Sequence, residues 1–371
     1  MAESYSSLTA SPRAWWFRGR SDPEAECLAD RTSNSGQPRE GLGGADMRYR
    51  TNWLARSFKM VAVLAMSAGC EPPIRTAPAA LWSASPSDGR TRFFAALKTG
   101  NHAGLPPIVS ALSAEHLEGD RVSTAVLGFA HAWSLAESSR VGNDPTVIES
   151  ASVAQRFFDT AYQAFPADPR LLGFQGSMMM AEGSIHGDEA RSRDGYFLAQ
   201  SSSVQWPQWG LFTFAYSLST QPPNSARGRE AIEALWKNLE SCAEGRAFSR
   251  TSTDSLAWFS ETSRSSNPLV SRACGNQPVA PYNTEGFFAV FGDLLARAGN
   301  TEQAARMYET ALATEASVSW PFRAAIERRR AQVGALAERW STEPKRGGLR
   351  NIDDVTLFNG PANCSVCHQA N

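Results

Sequence analysis

The sequence predicts an all-α fold in which helices follow one another along the chain. Three observations predict it. From Thr91 to Trp340 the apolar residues recur at helical spacing, few stretches alternate at period two, and Ala, Leu, Glu, Arg and Gln dominate the periodic segments. Of the 371 residues, 42% are hydrophobic and 20% charged, which is enough apolar material for a globular core over most of the length. The 36 basic and 37 acidic residues give a formal charge of −1, without the basic excess that tracking a phosphate backbone requires, so no nucleic-acid partner is expected. The longest apolar run, Met60–Met66, falls far short of the roughly 20 residues of a spanning helix, which excludes a multi-span membrane protein.

Residues 1–46 are rich in Ser, Gly and Arg, carry no sustained period, and precede a second plausible start at Met47. They are expected to lie outside the fold. Arg48, Arg50, Arg56 and Lys59 then lead into Met60–Met66 and Ser67-Ala68-Gly69-Cys70, giving a positive region, a short apolar region and small residues before a cysteine. This is the pattern of a secretory signal over residues 47–70. The Ala-Gly-Cys ending resembles the lipobox of bacterial lipoproteins, with Ser67 where that family usually has leucine. The resemblance implies cleavage after Gly69, lipidation of Cys70, and a chain anchored to a membrane and facing the periplasm. Glu71, in place of the aspartate that retains such proteins in the inner membrane, favours the outer membrane. Residues 71–90, rich in Pro, Ala and Ser, read as an extended tether.

The body, residues 91–342, carries one clear internal pattern: Phe288, Phe291-Gly292, Leu295, Gly299, then Ala304, Tyr308 and Ala311-Leu312. Gly292 and Ala304 would let two antiparallel helices approach closely, Phe291, Leu295 and Tyr308 would fill the seam, and Gly299-Asn300 would make the turn. These spacings resemble the tetratricopeptide helix pair, with Ala316 where that family closes on proline. Gly128 with Ala154, Phe158, Ala161 and Pro166 forms a partial second copy, about fourteen residues too long for the 34-residue period. Gly176 and Gly183, then Ala231 and Leu235, suggest further degenerate copies. The resemblance implies a divergent tetratricopeptide-like helical solenoid. The aromatic group Trp206, Trp209, Phe212, Phe214 and Tyr216 reads as packing of one helix pair. Residues 244–283, rich in Ser and Arg with Pro268, Pro278 and Pro281, read as a long loop, and residues 343–371 as a non-helical tail.

The tail ends Cys364-Ser365-Val366-Cys367-His368, a C-x-x-C-H sequence that by this chain's own Cys and His frequencies would arise by chance roughly once in a thousand such chains. It is the attachment signature of c-type haem: two thiols reach the two vinyl groups on one porphyrin edge, and the adjacent imidazole meets the iron. One covalent haem c is therefore expected on Cys364 and Cys367, with His368 as the proximal iron ligand. Attachment of this kind takes place outside the cytoplasm, where the signal at residues 47–70 would carry the chain. A zinc half-site lacks its second Cys/His pair, and a redox C-x-x-C pair lacks the βαβ pattern around it. Only three residues follow His368, so a second axial ligand must come from upstream. Met178, Met179, Met180, Met307, His102, His116, His131 and His186 are the candidates, and an open position is the alternative.

With Cys27 in the segment outside the fold, Cys70 assigned to lipid and the terminal pair to haem, Cys242 and Cys274 are left. In an oxidising compartment an even remainder suggests a disulfide, here closing most of the 244–283 loop. The basic run Arg323, Arg328, Arg329, Arg330, Arg339, Lys345, Arg346 and Arg350 reads as a solvated face, with a cationic rim for an acidic redox partner as the sharper alternative. The expected role is one-electron transfer within, or scaffolding of, a redox complex, with a redox protein or complex as partner. Two alternatives stay open: a haem-free repeat protein serving protein–protein interactions in envelope assembly, and a haem enzyme or ligand binder with five-coordinate iron. No nucleophile triad, phosphate loop or carboxylate pair marks a hydrolase.

Overall fold

The structure, a computed structural model, describes residues 86–137, 145–276, 278–341, 356–358 and 364–369. They all fall in one compact unit that runs from Ile74 onward. Residues 1–70, and with them the signal and Cys70, lie outside the described residues, as do Lys345, Arg346 and Arg350. Among the described residues the fold is an all-α helical repeat without strands, and its single β feature is an antiparallel bridge between Thr99 and Gln369.

Among the described residues eight helices come first: α1 Asp88–Lys98, α2 Leu105–Leu117, α3 Arg121–Ala136, α4 Pro145–Ala164, α5 Pro169–His186, α6 Glu189–Gln205, α7 Pro207–Leu218 and α8 Ala226–Cys242. Side-chain oxygens start several of them. Ser87 accepts from the Arg90 amide, Asp120 from Val122 and Ser123, Asp188 from Arg191, and Ser225 from Gly228. Asp168 caps α5 with Pro169 at its first turn, where no intrahelical amide is needed. Each helix packs chiefly on its sequence neighbours, the pattern of an antiparallel repeat array.

After α8 come a 3₁₀ segment, Asp254–Arg264, the short α9, Pro268–Val270, and a π-helical turn, Ser271–Gly275. Then follow α10 Asn283–Arg297, α11 Thr301–Ala313, α12 Arg323–Ala331, α13 Val333–Ser341 and, in the tail, the one-turn α14 Ser365–His368. The tail expected to be non-helical thus carries one turn of helix, at the motif itself.

The expected seam between α10 and α11 is present. Phe291, Leu295, Ala304 and Tyr308 are all fully buried, and a Cβ on Gly292 would strike the Tyr308 ring. The turn between the two helices uses the left-handed conformation of Gly299, φ +81°. The same device recurs between α3 and α4, where Phe158 lies over Gly128 and a Cβ there would come within 2.7 Å of the ring. Between α5 and α6 the approach is closer still, with Gly176 and Gly195 each lying against the other's carbonyl oxygen. The Met triplet belongs to this part of the fold: Met179 packs over Gly195, and Met178 and Met180 lie against two of the hydrophobic clusters.

Two features differ from the sequence reading. The 244–283 loop is built into the core, since Leu256, Phe259 and Val270 are buried in the largest hydrophobic cluster with α8 and α10. The basic run is not wholly a solvated face. Arg329 lies inside, donating to both Asp293 carboxylate oxygens at 2.9 Å, with both side chains fully buried. In the aromatic group Trp206 and Phe214 are buried, and Phe212 and Tyr216 lie partly buried against the largest cluster. The buried Arg170–Asp168 pair stands there with its guanidinium 5.6 Å from the Trp206 ring and 5.8 Å from Trp209.

Candidate functional site

The motif is docked rather than trailing from the body. Upstream of it, Thr356, Leu357 and Phe358 are buried. The Leu357 amide donates to Asp293 Oδ2 at 2.6 Å, and the Tyr216 hydroxyl lies 3.4 Å from the Phe358 carbonyl. At the motif the Cys364 carbonyl accepts from the Cys367 and His368 amides at 3.2 and 3.1 Å. This turn sets Cys364, Cys367 and His368 at i, i+3 and i+4, on one side of α14. Val366, fully buried, has its carbonyl capped by the Trp320 indole N–H at 2.9 Å, and the Tyr282 amide donates to the Cys367 carbonyl at 3.0 Å. Gln369, pairing with Thr99, ties the end of the motif to the turn after α1.

The two thiols face different apolar surroundings. Cys364 packs against the cluster formed by α1, α2 and α3, which includes Phe93, Leu105 and Trp133. Cys367 packs against the largest cluster, where its sulfur is seated over Gly286 of α10 in a space that any Cβ would fill. Neither is in a disulfide. Burial, with the Glu285 carboxylate nearby, pushes the Cys367 thiol up to about 12, so it is protonated at neutral pH. A dithiol built for redox exchange has a lowered thiol pKa, the opposite condition. Burial, together with the two motif thiols and the Glu137 carboxyl, also holds the Tyr216 phenol well above its ordinary value.

His368 Nδ1 lies 3.1 Å from the Val279 carbonyl. A carbonyl only accepts, so Nδ1 carries the hydrogen and Nε2 keeps its lone pair. Burial lowers the imidazole to about 4, against the opposing effect of the Val279 hydrogen bond, and keeps the ring neutral at pH 7. The result is a neutral imidazole of fixed tautomer beside two thiols, the state in which histidine binds a metal.

Of the upstream candidates for a second axial ligand, Met307 is fully buried in α11 and His186 is exposed at the end of α5. His116 bonds Thr124, and His131 stacks on Phe157. His102 lies in the turn that follows Thr99, edge-on to Trp133 with ring centres 5.5 Å apart, and so on the segment that pairs with the tail. Among the described residues no group of three or more His, Cys, Asp and Glu side chains is arranged to hold a metal ion, so no closed zinc-type site is assembled there. No described helix is long and apolar enough to cross a membrane.

Cys242, the last residue of α8, and Cys274, in the π-helical turn, are bonded to each other with Cα atoms 6.1 Å apart. Sequence reading missed three residues of the site: Val279, Tyr282 and Trp320, which act on the motif through a carbonyl, an amide and an indole. No protein-family model, curated protein or solved structure matches the chain.

Proposed function

We propose that this chain is a c-type haem protein, exported and anchored through lipid on Cys70, in which a helical-repeat body holds one covalent haem at Cys364 and Cys367 for one-electron transfer to or from a redox partner protein. The observation that carries the reading is the hydrogen bond from His368 Nδ1 to the Val279 carbonyl. An iron-ligating histidine commonly donates its second ring N–H to a backbone carbonyl, which fixes the tautomer and raises the basicity of the ligating nitrogen. The donor set fits the group. His368 Nε2 would ligate the iron, and the two unbridged thiols at i and i+3 would form the thioethers. When bound, the haem supplies a one-electron couple whose potential depends on axial ligands, hydrogen bonding and burial. The chain's own part is to hold His368 neutral and oriented, to bury Val366 within the motif, and to fix both thiol positions against apolar side chains.

The test is expression in a host competent in haem attachment, followed by mass spectrometry of the C-terminal peptide. The haem adduct should be present and should be lost or weakened in Cys364→Ser and Cys367→Ser. An unmodified peptide from such a host rejects the reading. The anchor is tested separately: Cys70→Ala should release the protein from the membrane fraction, and a variant that stays membrane-bound places the anchor elsewhere.

A further inference from the structure

We propose that the segment from Cys274 to Asn283, tied to α8 through the Cys242–Cys274 disulfide, is the positioning element of the Cys-x-x-Cys-His motif. The geometry of Cys367 and His368 would then depend on a disulfide that contains neither residue. Both ends of the segment are fastened. Cys274 is bonded to Cys242, and both are buried in the largest cluster. At the other end the Asn283 side-chain amide reaches back to the Cys274 carbonyl at 2.9 Å. Between these ends the segment turns at Asn276, which has φ +38° and whose carbonyl accepts from the Val279 and Ala280 amides at 3.0 and 2.9 Å.

That turn leaves the Val279 carbonyl directed at His368 Nδ1, 3.1 Å away, and the Tyr282 amide at the Cys367 carbonyl, 3.0 Å away. One short segment thus makes a hydrogen bond with each of the motif's last two residues: its Tyr282 amide donates to the Cys367 carbonyl, and its Val279 carbonyl accepts from His368 Nδ1. Among its described residues past Gly275, Ala280 and Tyr282 are 1% and 6% exposed, and the Tyr282 hydroxyl donates to the Ser319 carbonyl at 2.8 Å. A segment with few buried contacts opens locally unless a covalent or hydrogen-bonded tie holds it. Cutting the tie at Cys274 should loosen the Val279 carbonyl, since the described residues between Asn276 and Tyr282 form turns, with no strand or helix among them.

The experiment uses the full chain prepared without haem, so its failure is distinct from failure of the haem reading, on which only the role of His368 as an iron ligand rests. N-ethylmaleimide labelling of Cys364 and Cys367 is followed by mass spectrometry under native conditions. The pair of substitutions Cys242→Ala and Cys274→Ala should speed labelling of Cys367 by roughly tenfold or more, as expected for a segment released into local opening. Leu171→Ala, at a fully buried position in a different cluster, lowers global stability and should leave Cys367 labelling within about twofold of the parent. Asn283→Ala keeps the disulfide and the Tyr282–Ser319 hydrogen bond and cuts the tie to the Cys274 carbonyl, and it should move Cys367 labelling in the same direction as the double substitution. Unchanged labelling in both the disulfide variant and Asn283→Ala overturns the proposal. So does an equal rise in Leu171→Ala, which would assign the protection to the fold as a whole.

Discussion

Replacing Asp293 with alanine should be among the most damaging single changes in the chain, at about 3–5 kcal/mol. The side chain sits on α10, where every residue from Thr284 to Arg297 is buried, and is itself fully buried. Its oxygens accept four contacts: two from Arg329 Nη1 at 2.9 Å, one from the Tyr308 hydroxyl at 2.7 Å and one from the Leu357 amide at 2.6 Å. Removing it takes the carboxylate from a fully buried guanidinium, and the loss of that pairing dominates the cost. The orphaned hydroxyl and amide would add about 1–3 kcal/mol each if nothing relaxed. Any shift of Leu357 in the variant would relieve part of this cost, so their full sum is not expected. Replacing the network by apolar groups of similar size should be much milder. Asp293→Leu with Arg329→Met and Tyr308→Phe removes both charges and the hydroxyl together. The single substitution should exceed this triple by at least about 2 kcal/mol. Urea unfolding at constant slope gives both values, and hydrogen exchange at the Leu357 amide reports whether the tail has left. A loss under about 1 kcal/mol for Asp293→Ala, with Leu357 still protected, would refute the reasoning.

Two further outcomes are expected. Gly128→Ala should cost about 1–3 kcal/mol because its Cβ meets the Phe158 ring at 2.7 Å, whereas Gly334→Ala, in α13 with nothing within 4 Å, should be neutral or stabilise by up to about 1 kcal/mol. Equal effects in thermal unfolding would reject the seam argument. The haem-free protein should lose stability on acidification from pH 6.5 towards 5. Burial holds the imidazoles of His131 and His368 below the ordinary value, His368 at about 4, so the unfolded chain binds more protons in that window. Stability is then fully present above about pH 6.5 and falls as pH drops. The Glu285 carboxyl, raised by burial, acts in the opposite sense, so the informative quantity is the difference in slope between the parent and His368→Gln. The variant should show the shallower fall, and identical slopes would remove His368 from the account.

The helix pairs were legible in the sequence where packing is carried by residue type at fixed spacing. A glycine facing an aromatic is such a signal, and both Gly292–Tyr308 and Gly128–Phe158 obey it. The segment 244–283 was not legible because its 3₁₀ and π turns have no 3.6-residue period, and what buries Leu256, Phe259 and Val270 is the surface of α8 and α10. Arg329 was misread by averaging over its neighbours. Arg328 and Arg330 are exposed, but Arg329 follows Ala325 and Ile326 by four and three residues, which places it on the buried face of α12. Asp293 carried the matching signal, as a lone acid inside the run Phe287–Ala296.

Those two charges help to dock a tail that the sequence presents as non-helical. Between Gly347 and Gly360 the sequence offers no sustained helical period, yet Leu357 and Phe358 are 1% and 2% exposed. An internal Asp–Arg pair holds the Leu357 amide, and the guanidinium of Arg297 stands over the Phe358 ring at 5.9 Å while donating to the Ser219 carbonyl. The docking is therefore written in body residues that look like isolated charges on apolar helices, and only secondarily in the tail. This has a consequence for the motif. Cys364 rests on the apolar cluster of α1–α3 and Cys367 on that of α8 and α10, so the short helix between them bridges two separately packed parts of the body. A group carried on both thiols would be gripped from two sides instead of swinging on an arm. The reorganisation accompanying a change in its charge would then be set by the rigidity of the helical body, which suits a fixed relay better than a mobile carrier.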